Sequence, residues 1–163
     1  MGVLTVTIKE EVTLNGVDQG ATNTLSIAGV TQSFKRIVTL PADGGGSATQ
    51  TTIANFRTDV TVADSALDDD DVKYVRVTNL ESTNSVTLSL QLAANGGAAA
   101  STQATVLLEA GKSLMLGKAV GIAAVDDDAA TATAIGSLVD LESIIAINDH
   151  DSAAAQLEVF IAS

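Results

Sequence analysis

Residues 72–92 read VKYVRVTNLESTNSVTLSLQL, and the spacing of apolar residues in this stretch decides the fold class. Val86, Leu88, Leu90 and Leu92 alternate with Thr87, Ser89 and Gln91. Successive side chains of a strand point to opposite faces, so the pattern describes a strand with one buried and one wet side. Upstream, Val75 and Val77 alternate in the same way with Tyr74, Arg76 and Thr78. Between the two runs, Glu81, Ser82, Thr83 and Asn84 are turn-type polar residues able to bond their own backbone. The expectation is a β-hairpin with one apolar face.

The same grammar recurs on both sides. Residues 3–14, VLTVTIKEEVTL, alternate Thr with Val and Ile and run into Asn15-Gly16, a strong turn signal, so a first strand or hairpin is expected there. TLSIAG (24–29) and SFKRIVTL (33–40) are two more strands, the second closed by Pro41, which has no N–H for a ladder. Weaker strands are expected over 50–56 and 58–62, after a loop at Gly44-Gly45-Gly46. Residues 105–108 and 114–116 flank Glu109-Ala-Gly-Lys-Ser113 as a second hairpin, and 143–147 and 157–161 flank Asn148-Asp-His-Asp-Ser152 as a third. Residues 93–102 read as a loop, and 117–141 as one strand with a loop carrying a short helix.

About eight to eleven short strands with turn signals every 8 to 12 residues describe a sandwich or barrel rather than alternating βα units. The fold expected is all-β, an antiparallel β-sandwich of jelly-roll type, with residues 1–163 as one domain and 1–20 as a docking or exchanged segment. No internal sequence repeat is apparent.

Composition narrows the function classes. A net charge of −12 with eight basic residues dispersed along the chain opposes phosphate-backbone binding, and aromatic residues at 2% leave no stacking platform, so no nucleic-acid partner is expected. The absence of cysteine excludes disulfides, thiol nucleophiles and thiolate metal sites. No basic-then-apolar leader and no run of about 18 apolar residues is present, so neither secretion nor a membrane partner is expected.

Three stretches resemble sites. Gly111-Lys112-Ser113 has the ending of a phosphate-binding loop, but Val106 stands where that loop needs its first glycine, and LMLG after it reads as a strand instead of a helix. Asp68, Asp70 and Asp71, and Asp126 and Asp128, are weak candidates for calcium; neither run has the alternating oxygens, central Gly and distal Glu of a dedicated loop, and solvated acidic loops are the plainer expectation. His150, the one histidine, lies between Asp149 and Asp151, with Ser152 too near in sequence to be judged a nucleophile it would activate. No catalytic residues, resident metal or cofactor are assigned, and a non-enzymatic protein is expected.

The phrases YVRVTNLESTNSVTLSLQL (74–92), VLLEAGKSLMLG (106–117) and the closing residues 144–161 resemble small structural proteins of tailed-bacteriophage virions, of the marine and cyanobacterial phage type. That resemblance implies a virion component made in the host cytoplasm, capsid-associated as a decoration, cement or knob protein. Its implied partners are other virion proteins such as the major capsid protein and further copies of itself, a trimer being the unit favoured. The alternatives are a tail or fibre component and a stand-alone ligand- or carbohydrate-binding sandwich.

Overall fold

The computed structural model describes residues 1–44, 49–57, 66–93, 102–123 and 138–163. Two sheets enclose an aliphatic core. One has five strands in the order β10 (Thr102–Leu108), β9 (Val86–Leu92), β12 (Leu141–Asn148), β6 (Thr51–Arg57) and β7 (Leu67–Asp68). The other has four, in the order β11 (Ser113–Leu116), β8 (Tyr74–Asn79), β13 (Ala155–Ala162) and β5 (Ser33–Leu40). All pairings are antiparallel except the short parallel contact of β7 with β6. The chain is an antiparallel β-sandwich.

The alternation read from the sequence sets the core. Val75, Val77, Val86, Leu88 and Leu92 are at most 1% exposed, and they pack with Ile144, Leu157, Val159 and Ile161 from the neighbouring strands. Polar alternates such as Thr87 and Gln91 lie on the outer face. Removing one of these core leucines, as in Leu88→Ala, would cost about 2–5 kcal/mol through lost transfer energy and an unfilled cavity.

The three expected hairpins of this region are corrected. Strands β8 and β9 lie in opposite sheets, as do β10 and β11, and β12 and β13. Each connection is a corner that carries the chain from one sheet to the other. β5 and β6 likewise lie in opposite sheets. Sequence periodicity is the same for a hairpin and a corner, because both put alternate side chains inward. What separates them is the connection: a two-residue turn joins strands ~4.8 Å apart, whereas packed sheets stand ~10 Å apart.

Two buried asparagines hold two of these corners. Asn79, fully buried at the end of β8, donates from Nδ2 to Asn84 O (2.8 Å) and Leu108 O (3.1 Å) and accepts from Glu81 N (3.0 Å) at Oδ1. Asn148, at the end of β12, donates from Nδ2 to Ala153 O (2.7 Å) and Pro41 O (3.0 Å) and accepts from His150 N (3.1 Å). In each case Oδ1 caps the amide two residues on, and Nδ2 reaches the carbonyl five residues on plus one from another segment. Val86 follows Asn79 at the spacing at which Ala155 follows Asn148. The corners therefore repeat one hydrogen-bonding solution without a repeated sequence.

Residues 1–39 contribute nothing buried to this core. They include a long hairpin, β1 (Gly2–Glu10) with β4 (Ala21–Val30), continued by the tip strands β2 (Thr13–Leu14) and β3 (Val17–Asp18). The expected Asn15-Gly16 turn is there, with φ of 52° and 79°, the pair of positive values that a two-residue turn of matching twist requires. Gly20 is needed at the junction of tip and stem, because a Cβ there would stand 2.2 Å from Glu10 O. The expected strand over 58–62 lies outside the described residues. Of 117–141, the described part turns at Gly121 (φ 57°) and bridges Ala123 to Val139.

Replacing either corner asparagine removes three hydrogen bonds to the backbone, and at Asn79 one of the carbonyls left behind, Leu108 O, is buried. Asn79→Ala and Asn148→Ala should each lower unfolding free energy by about 2–4 kcal/mol. Urea denaturation followed by circular dichroism measures this; a loss below about 0.5 kcal/mol would show that the corners hold without them.

Candidate functional site

The acidic turn is the first candidate. After the two residues of β7, Asp71 N donates to Asp68 O (3.3 Å) and Val72 N to Asp69 O (3.3 Å), while Asp68 Oδ1 accepts from Asp70 N (3.1 Å). This winding brings one carboxylate oxygen each from Asp68, Asp69 and Asp70 within 4.8 Å of one another. The expectation of a fully solvated run is corrected here, since Asp69 is 5% exposed and Asp68 is half-buried; only Asp70 and Asp71 stand in solvent. The turn tucks Asp69 inward, where Asp69 N bonds Arg57 O (3.2 Å). Its side chain lines a polar cavity of about 410 Å³ together with Arg57, Asp140 and Glu142. Beside the calcium candidates Asp68, Asp70 and Asp71, the buried member of the group is Asp69. Asp126 and Asp128 lie outside the described residues.

His150 is part of a corner. Its Nδ1 accepts from Ser152 N (3.2 Å) and Ala153 N (3.1 Å), so that ring nitrogen is occupied by backbone amides. Asp149 accepts from Thr87 Oγ1 (3.0 Å). An Nδ1 that already accepts from two backbone amides has no lone pair left to take the proton of the Ser152 hydroxyl. Gly111 has a φ of 70° in a turn closed by Lys112 N donating to Glu109 O (3.1 Å), and strand β11 follows it. A phosphate-binding loop would lead into a helix.

On the outer face of the four-stranded sheet, Lys35, Phe160 and Arg76 sit side by side across β5, β13 and β8. Glu158 lies between the two cations, with Lys35 Nζ at 2.8 Å and a second ion pair to Arg76. The hydrogen bond from Lys35, reinforced by the Lys35 and Arg76 charges, holds the Glu158 carboxyl below the usual carboxylate range. Tyr74 meets Phe160 edge-on at 6.1 Å, and burial pushes its phenol up despite the nearby Arg76. Of the aromatic residues, Phe56 and Tyr74 are buried, Phe160 is partly covered, and Phe34 has the Arg36 guanidinium 5.3 Å from its ring centre. That distribution builds no exposed aromatic platform.

The least satisfied surface is apolar. On one face of the hairpin Leu4 pairs with Ile27 and Val6 with Leu25, with Ile8 beside them; on the other Thr5 pairs with Ser26 and Thr7 with Thr24. Among the described residues no second layer lies over this face: Leu4, Val6 and Ile27 are half-buried, Leu25 is 53% exposed, and at the tip Leu14 and Val17 are 59% and 56% exposed. The sandwich has its own opening alongside β5, where a cavity of about 580 Å³ is lined by Phe34, Arg36, Ile53, Ala54, Leu67 and Ile161, among others. Arg36 bridges the sheets there, donating to Ile53 O. Sequence periodicity marks the amphipathic hairpin but carries no sign that its apolar side is left open.

No protein-family model, no curated protein and no solved structure matches the chain.

The Glu158 carboxyl is lowered in the folded state, so the stability it contributes is present above its ordinary value of about 4.3 and is lost as pH falls through the lowered folded value. Glu158→Gln should therefore be less stable than the parent at pH 7, with the gap narrowing steadily at acidic pH. Thermal melts across pH 2–7 would show it, and a gap independent of pH would assign the loss to packing alone.

Proposed function

We propose that the chain is a non-enzymatic structural protein of a tailed-bacteriophage virion, associated with the capsid as a decoration, cement or knob protein and acting through symmetric protein–protein contacts. The observation that carries the reading is the hairpin arm, an amphipathic element whose apolar face no other described residues cover. A two-stranded ribbon is marginal alone in water, and an exposed apolar face on it calls for a partner surface. Assembly supplies that surface, and the folded state then gains stability by mass action.

The strand order supports a jelly-roll topology. Sequential pairs β5 and β6, β8 and β9, β10 and β11, and β12 and β13 divide between the two sheets, and the orders β11-β8-β13-β5 and β10-β9-β12-β6 place each pair in matching positions. Double-sheet jelly rolls of this kind are frequent in capsid and lectin domains. The resemblance of residues 74–92 and 106–117 to small virion proteins favours the capsid over the lectin reading, as does the lack of an exposed aromatic platform. In this reading the chain is made in the host cytoplasm, assembles on the major capsid protein, and uses its acidic surface to discourage non-specific contacts.

Mass spectrometry of density-gradient-purified virus particles from a culture carrying the gene tests this. The chain should co-purify at a fixed ratio to the major capsid protein. Recovery only in the soluble fraction of the infected cells would contradict it.

A further inference from the structure

We infer that the corner between β12 and β13 is a pH-sensitive latch, held closed by the neutral ring of His150 and opened when that ring gains a proton. The inference is independent of the capsid reading above.

The ring is built into the backbone of the corner. Asn148 serves His150 N, Pro41 O and Ala153 O, and the next two amides, Ser152 N and Ala153 N, donate to His150 Nδ1 at 3.2 and 3.1 Å. A ring nitrogen accepts only when it carries no hydrogen, so Nδ1 is the bare nitrogen and the ring hydrogen sits on Nε2. In the imidazolium both nitrogens carry hydrogen. Protonation therefore turns the shared acceptor into a donor facing two donors, and both bonds are lost together. Imidazole is the side chain whose ordinary change of charge falls between about pH 5 and 8. His150 is the one histidine of the chain, so the molecule has a single ordinary source for a change in that window.

The surroundings receive the charge. β12 ends and β9 begins where Asn148 pairs with Val86, β10 ends opposite the same Val86, and Ala155 pairs with Leu40 at the end of β5, so the connections at this end of the sandwich lie together. Their charged groups are Asp149 and Asp151 beside the ring, Asp43 on the β5–β6 link, Glu81 on the β8–β9 corner, and Glu109 and Lys112 on the β10–β11 turn. Asp149 is bonded to Thr87 Oγ1, and Glu81 Oε1 accepts from Gln156 N (2.8 Å). Asp43 N donates to His150 O (3.0 Å), and Asp43 Oδ1 is buried with no hydrogen-bond partner among the described residues. Residues 45–48 are Gly-Gly-Ser-Ala and bring no titratable group. An imidazolium here meets carboxylates on its own corner and on the adjoining link.

The β8–β9 corner is a built-in control. Glu81 follows Asn79 at the spacing at which His150 follows Asn148, and Thr83 and Asn84 stand where Ser152 and Ala153 stand. That corner has the same asparagine bonds and no imidazole. Opening of the β12–β13 corner also reaches the β5–β6 link, since Asp43 N and Gly44 N donate to His150 O and Asp151 O, both at 3.0 Å.

Nuclear magnetic resonance of the full chain between pH 7 and 5 tests this, following the ring signals of His150 and the hydrogen-exchange protection of single amides, corrected for the intrinsic effect of pH. At pH 7 the ring should be the Nε2–H tautomer. As it charges, the amides of Ser152 and Ala153 should lose about tenfold in protection, in step with the ring, while those of Thr83 and Asn84 and of the core strands hold theirs. His150→Asn places a side-chain oxygen near the position of Nδ1 as an acceptor that does not titrate, and there the two amides should keep one protection throughout. Unchanged amides while the parent ring charges would overturn the inference, as would a ring that stays neutral down to pH 5. An equal loss in His150→Asn would also overturn it, by assigning the change to the carboxylates. The measurements on the parent decide the matter alone if the variant does not fold.

Discussion

The sandwich depends on an aliphatic layer closed at its corners by fully satisfied asparagines. With aromatic residues so scarce, most of the buried volume is supplied by Val, Leu and Ile from both sheets. A layer of that kind forms only if the chain crosses from sheet to sheet without stranding backbone polar groups in the core. Asn79 and Asn148 meet that need, each serving three backbone partners at a buried strand end. An apolar residue at either position would leave the crossing chain without hydrogen-bond partners, and the cost of unpaired buried groups exceeds the gain from one more aliphatic side chain.

The strands and their inward faces were legible in the sequence because period-2 alternation is a local property: Val86, Leu88, Leu90 and Leu92 are buried as their spacing requires. Which sheet each strand joins was not legible. Connections around Asn79, Gly111 and Asn148 read as hairpin turns, yet each is a corner, and the difference lies in hydrogen bonds to distant segments such as Leu108 and Pro41. The Asn15-Gly16 turn was readable because the backbone conformation itself demands those residues.

Sites were legible to a smaller degree. The acidic run was visible as charge, but the burial of Asp69 depends on the backbone winding and the neighbouring strand β6. The ion-paired cluster of Lys35, Arg76 and Glu158 could not be read at all, since its members are brought together by three strands far apart in the chain. The arm was half legible. Its alternation is plain in residues 3–10, and an exchanged segment was expected over 1–20, but the element extends to Val30 because β4 supplies the second half of the apolar face. Periodicity announces a face; it does not say whether the same molecule covers it.

A chain with a well-closed core and an apolar arm that no other described residues cover divides its stability unevenly. The sandwich carries its own hydrophobic layer, whereas the arm has only cross-strand pairs, so its amides open freely unless another surface holds it. The most direct measurement is hydrogen–deuterium exchange of residues 2–30 at two protein concentrations a hundredfold apart. Arm amides should gain protection at the higher concentration while those of β8, β9, β12 and β13 stay unchanged. Equal exchange of the arm at both concentrations, under conditions where the sandwich is folded, would contradict an arm that acts through symmetric contacts.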